Sequence, residues 1–149
     1  MSRKNILETI SGLLVLLFVY AAISKLLDYE NFKIQLGKSP LLTSFAPWVA
    51  IGLPLLEIGI SILLLSKAMR LLGFYASFFL LVLFTSYLTA ILNYSYYIPC
   101  SCGGILRGLS WKTHIIFNLI FMAISVVGVI IQSATPKLDN SPYNNVLIK

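Results

Sequence analysis

The dominant feature of the sequence is a set of four long apolar stretches separated by more polar segments. They lie at about residues 6–27, 45–65, 71–92 and 114–131. An apolar α-helix crosses the hydrocarbon core of a bilayer in roughly 17–25 residues, and each stretch has such a length. The sequence therefore predicts an all-α fold, an integral membrane four-helix bundle in contact with lipid, over residues 1–132. The polar, proline-containing residues 133–149 are predicted to form a flexible tail.

The composition supports a membrane protein. Hydrophobic residues make up 58% of the chain and charged residues only 11%, whereas a soluble domain has about 25% charged residues. Such a chain cannot cover its surface with solvated groups, which argues against a soluble enzyme and a disordered linker. The net charge of +6 does not indicate a nucleic-acid partner, because the Lys and Arg residues are scattered rather than clustered.

The number of spans places both termini on the same side of the membrane. Basic residues are divided almost evenly between the two sides, so the positive-inside rule gives only a slight preference for cytoplasmic termini. The segment between the third and fourth stretches would then face outside. Tyr94 and Trp111 lie near its ends, as aromatic residues do at a membrane interface.

The segment between the first and second stretches contains a short helical pattern. Phe32 and Leu36 are four residues apart, so they would share one face of a helix at the membrane interface.

The only two cysteines of the chain are Cys100 and Cys102, in the segment before the fourth stretch. Pro99 restricts the backbone before them, and Gly103 and Gly104 allow unusual dihedral angles after them. A disulfide between cysteines this close requires a small, bent ring, and strained disulfides tend to be labile. This arrangement favours a redox-active pair over a structural disulfide.

Two other interpretations of the cysteines remain open. They could be ordinary loop thiols with no chemical role. Alternatively, Cys100 and Cys102 could join His114, twelve residues after Cys102, as ligands of a soft metal such as copper or zinc. The chain has too few cysteines for a four-thiolate metal site.

Two charged residues of the first two spans are further candidates for a functional site. Glu57 lies near the middle of the second span, where a carboxylate must face the bundle interior, be paired or be protonated. Lys25 lies near the end of the first span and is predicted to extend towards the interface. A Lys25–Glu57 pair is the alternative, but Glu57 is roughly 10 residues, or about 15 Å, inside its span, which argues against it.

His114 and Asn118 are four residues apart near the start of the fourth span, and therefore share a helix face. The imidazole of His114 could accept a thiol proton and stabilise a thiolate, or it could satisfy a backbone carbonyl.

The chain resembles the MauE/DoxX family of small four-helix membrane proteins, and most closely its MauE-like branch. The similar segments are AAISKLLDYENF, PLLEIGISILLL, PCSCGG and LSWKTHIIFN. MauE-like proteins typically carry Cys-Gly-Cys-Phe-Gly at the cysteine loop, where this chain has Ser101 and Gly103. The resemblance implies a protein of the bacterial cytoplasmic membrane that helps to form or shuffle disulfides in exported proteins, as in the maturation of methylamine dehydrogenase.

Three functions follow as hypotheses. The first is a thiol–disulfide redox protein in which Cys100 and Cys102 exchange disulfides with a thioredoxin-like or exported partner. His114 would support this chemistry, Glu57 and Lys25 would be additional site residues, and electrons could pass to a membrane quinone, although no quinone signature is visible. The second is an accessory subunit, homo- or hetero-oligomeric, that assembles an exported enzyme without chemistry of its own. The third is soft-metal binding.

Overall fold

The computed structural model describes residues 2–38, 43–94 and 111–134. These residues form five α-helices and one short 3-10 helix: α1 (Arg3–Leu27), α2 (Tyr29–Gly37), the 3-10 helix Thr43–Phe45, α3 (Ala46–Leu65), α4 (Arg70–Tyr94) and α5 (Trp111–Ser133). No strand occurs within these ranges. The helices α1, α3, α4 and α5 are long and apolar enough to cross a membrane, which confirms the predicted all-α membrane bundle.

The four long helices alternate in direction. α1 packs against α3 and α4 against α5, while α3 and α4 also contact each other. The turn between α3 and α4 is short, and a Cβ atom on Gly73 would lie only 2.9 Å from the backbone nitrogen of Leu64. We call the end of the bundle where α1 and α4 end and α3 and α5 begin the loop end, because the cysteine segment joins α4 to α5 there.

An apolar core fills the half of the bundle away from the loop end. Its buried residues come from α1, α3 and α4: Leu7, Ile10, Leu14, Phe18, Ile60, Leu64, Phe74, Leu80 and Leu81. Phe74 is fully buried, and a Cβ on Gly128 of α5 would lie 2.7 Å from its ring. Many large apolar side chains on the outer faces of the helices are exposed, as expected of surfaces that contact lipid.

α2 forms a second, smaller contact at the loop end. Phe32 and Leu36 are buried against Ala46 and Ala50 of α3, which confirms the predicted helix face. The start of α3, from Ala46 to Ala50, therefore lies beside α2.

The predicted tail beyond residue 134 and the cysteine segment 95–110 lie outside the described residues.

Candidate functional site

The centre of the candidate site is an ion pair between α1 and α3. Lys25 Nζ donates to Glu57 Oε1 at 2.7 Å, and the two side chains are only 3% and 6% exposed. Lys25 Nζ also lies 3.3 Å from the carbonyl oxygen of Ala21, one turn earlier on α1. The prediction that Lys25 extends to the interface is therefore wrong, and the alternative of a Lys25–Glu57 pair describes the structure.

The depth of Glu57 in the membrane cannot be counted from the start of α3 alone. The first turns of α3, from Ala46 to Ala50, pack against α2. Glu57 is consequently level with Lys25 although it lies eleven residues after Ala46. Of the alternatives that the sequence left open for Glu57, the structure shows a side chain that is buried in the bundle interior and paired with Lys25.

The first two turns of α5 add two polar side chains to the interior. His114 and Asn118 are both buried, at 4% and 5% exposure, so the prediction that they share one helix face is confirmed. The His114 ring lies beside that of Phe84 on α4, with 6.3 Å between the ring centroids and 29° between the ring planes.

These four polar residues surround one cavity. Lys25, Glu57, His114 and Asn118 line a space of about 50 Å³ between the four long helices. Leu17, Phe18 and Ala21 of α1, Leu80, Leu81 and Phe84 of α4, and Phe117 of α5 complete its wall. The cavity lies in the half of the bundle nearer the loop end, since Lys25 is two residues from the end of α1 and His114 is three residues after the start of α5.

The chemistry of this site follows from its burial. A charged side chain inside a membrane is costly, and such residues face the bundle interior and pair with each other. Removing one partner of a buried pair leaves the other charge without compensation. Lys25 and Glu57 therefore fix the position of α1 relative to α3, while Glu57 and His114 provide groups that can accept and donate protons.

The structure brings together only part of the predicted site. Lys25, Glu57 and His114 meet at the cavity, but Cys100 and Cys102 lie outside the described residues and their placement stays a prediction. Phe84 was not predicted as a site residue, because nothing in its sequence neighbourhood distinguishes it from other apolar residues of the third span. Asn118 was recognised only as a residue on the same helix face as His114. Its four-residue spacing from His114 was the signal that could have made it a predicted site residue.

The described residues contain no group of three or more His, Cys, Asp or Glu side chains that could hold a metal ion. The hypothesis that uses Cys100, Cys102 and His114 involves residues outside those ranges and stays a prediction.

Comparison with known proteins gives one match. The family model described as "Methylamine utilisation protein MauE" matches residues 3–131, which include all five α-helices except the last two residues of α5. No curated protein and no solved structure matches the chain.

Proposed function

The chain belongs to the methylamine utilisation protein MauE family, and from that premise we propose that it is a membrane-embedded thiol–disulfide redox protein. Cys100 and Cys102 would be its reactive pair. The family name connects the proposal to methylamine utilisation, where the protein would serve the maturation of an exported enzyme. The observation that carries the proposal is the position of the only two cysteines, separated by one residue, in the segment that joins α4 to α5.

The side chains at the loop end support this chemistry. His114 lies in the first turn of α5, the helix that follows the cysteine segment, and an imidazole beside a thiol can accept its proton. In the proposed arrangement His114 exchanges a proton with the thiol of Cys100 or Cys102 as the pair cycles between disulfide and dithiol. Lys25 and Glu57 hold α1 and α3 together in the same half of the bundle as His114.

The proposed reaction is a disulfide exchange. The Cys100–Cys102 disulfide accepts two electrons from the dithiol of an exported or thioredoxin-like partner through a mixed disulfide. The partner leaves as a disulfide, and its two protons are taken up by the Cys100 and Cys102 thiolates. A lipid-soluble quinone then takes two electrons and two protons from the dithiol, becoming a quinol and restoring the disulfide.

The proposal includes a location. The protein would lie in the bacterial cytoplasmic membrane with both termini in the cytoplasm, so that the segment between α4 and α5 faces the compartment where exported proteins form disulfides. The turn between α3 and α4, which contains Lys67, would then face the cytoplasm.

Thiol trapping in intact cells tests both the chemistry and the location. Because the chain has only two cysteines, a membrane-impermeant maleimide reports on this pair alone. We expect no labelling of untreated cells and labelling of both thiols after mild external reduction. The variant without cysteines is the blank, and Lys67→Cys in that background should react only after permeabilisation.

Two results would contradict the proposal. Labelling of Cys100 and Cys102 without reduction would show free thiols, and labelling only after permeabilisation would place the segment on the wrong side. A second experiment separates chemistry from assembly. In Cys102→Ser, the Cys100 thiolate can attack the disulfide of the oxidised partner, which is the exchange in reverse, and without Cys102 the resulting mixed disulfide should stay trapped. Partner co-purification and full maturation activity that both survive loss of the two cysteines would instead favour the accessory-subunit hypothesis.

A further inference from the structure

Two polar atoms beside the Lys25–Glu57 pair are buried without a hydrogen-bond partner. They are Glu57 Oε2, an acceptor, and Asn118 Nδ2, a donor. Both residues are about 5% exposed, and both line the same cavity. Leaving a buried polar group unsatisfied is costly, so the arrangement favours a polar molecule that accepts from Asn118 and donates to Glu57.

The size of the cavity decides what that molecule is. A water molecule needs roughly 10–15 Å³ of accessible space and two to four polar partners, whereas a benzene-sized guest occupies a cavity of about 150 Å³. The cavity beside Glu57 measures about 50 Å³. It therefore has room for water but is too small for an aromatic or quinone ring.

The groups that face the cavity can exchange protons. α1 contributes the Lys25 ammonium, α3 the Glu57 carboxylate and α5 the His114 imidazole, while α4 contributes only apolar side chains. Lys25 already donates to Glu57 Oε1, which leaves Glu57 Oε2 as the oxygen that faces an incoming donor. His114 lies closest to the start of α5 and so to the loop end.

We propose that this cavity is an internal water-binding, proton-exchange site in which water connects Glu57 Oε2 and Asn118 Nδ2 with the imidazole of His114. The water accepts a hydrogen bond from Asn118 and donates one to Glu57. A proton moves between the carboxylate and the imidazole through the water, which gives up one proton as it receives another. Lys25 stays in place as the counter-ion, and protons enter and leave at the loop end. The site does not depend on the cysteine chemistry proposed above.

Infrared difference spectroscopy of the full chain in lipid vesicles tests this site. The chain has only five acidic side chains, so the carboxyl band of Glu57 can be identified by its loss in Glu57→Gln. The matched control is Glu8→Gln, because Glu8 is exposed. We expect a Glu57 band that responds to pH steps and shifts in D₂O within minutes. A Glu57 band that changes neither with pH nor in D₂O over hours would overturn the proposal.

Asn118→Leu provides a second test that does not alter the ion pair. If water occupies the cavity, the substitution removes the Asn118 amide that donates a hydrogen bond to the water. We then expect the D₂O shift of the Glu57 band to slow at least tenfold, with no gain in Tm. If the cavity is dry, the substitution removes an unsatisfied amide, and a raised Tm with unchanged exchange would overturn the proposal. Repeating the measurement without cysteines separates this site from the proposed redox function, because its exchange should persist there.

Discussion

The two halves of this bundle are held together by different means. Towards the loop end, an ion pair joins α1 to α3 and polar groups from α5 face the same cavity. In the other half, the interior is mostly apolar, with a few buried serines, and the helices approach closely at Gly73 and Gly128. Because lipid tails are as apolar as leucine, burying apolar side chains gives little driving force between helices in a bilayer. Close packing must therefore hold the helices together in the apolar half, and the Lys25–Glu57 pair must do so towards the loop end.

Polar side chains behave differently in the two halves as well. Ser77 and Ser125, both fully buried, donate to carbonyl oxygens one turn earlier on their own helices, Gly73 and Phe121. They add no interhelical hydrogen bond. Lys25 and Glu57, by contrast, bond across a helix interface. Apolar packing can tolerate small rotations of a helix, whereas the ion pair fixes which face of α1 meets α3.

The largest effect should come from breaking the ion pair. Lys25→Met leaves Glu57 buried without its partner, and we expect a loss of about 3–5 kcal/mol in the free energy of unfolding in mixed micelles. Lys67→Met, at an exposed position in the turn between α3 and α4, is the matched control and should change little. The double variant Lys25→Met, Glu57→Leu should recover most of the loss. If it is as unstable as Lys25→Met, the pair does not act as a unit.

A smaller effect is expected from Gly128→Ala in the apolar half. The new Cβ would lie 2.7 Å from the ring of Phe74, which is fully buried. Overpacking of this kind costs about 1–3 kcal/mol. Gly12→Ala is the control, since no atom lies within 4 Å of its Cβ position, and it should be neutral or stabilising. Phe74→Leu combined with Gly128→Ala should restore stability; failure to do so would remove the close contact as the cause.

The smallest effect is expected at the buried serines. Ser77→Ala and Ser125→Ala remove hydrogen bonds within single helices, and alanine has the higher helix propensity. We therefore expect changes below about 1 kcal/mol in the free energy of unfolding. A loss as large as that of Lys25→Met would show that the apolar half also depends on polar contacts, and the contrast between the halves would not hold.

The sequence was sufficient for the membrane spans because their signal is local. Length and apolarity of each stretch predicted α1, α3, α4 and α5, and the spacing of Phe32 and Leu36 indicated α2. The spacing of His114 and Asn118 likewise predicted a shared face. The partner of Lys25 was predicted wrongly because it depends on how α2 shifts the start of α3 relative to α1, and such an offset is set by tertiary packing. The cavity could not be predicted for the same reason: its walls come from four different helices.

The ion pair also imposes an order on the assembly of the chain. Lys25 leaves the ribosome 32 residues before Glu57, an interval of roughly 2–6 s at a synthesis rate of 5–20 residues per second. During that time α1 is present without the carboxylate that neutralises it. A lysine near a helix end can then reach the membrane interface. While α3 is still being made, the Lys25 side chain can thus take the interfacial position that it does not occupy in the finished protein. Pairing with Glu57 then fixes α1 against α3.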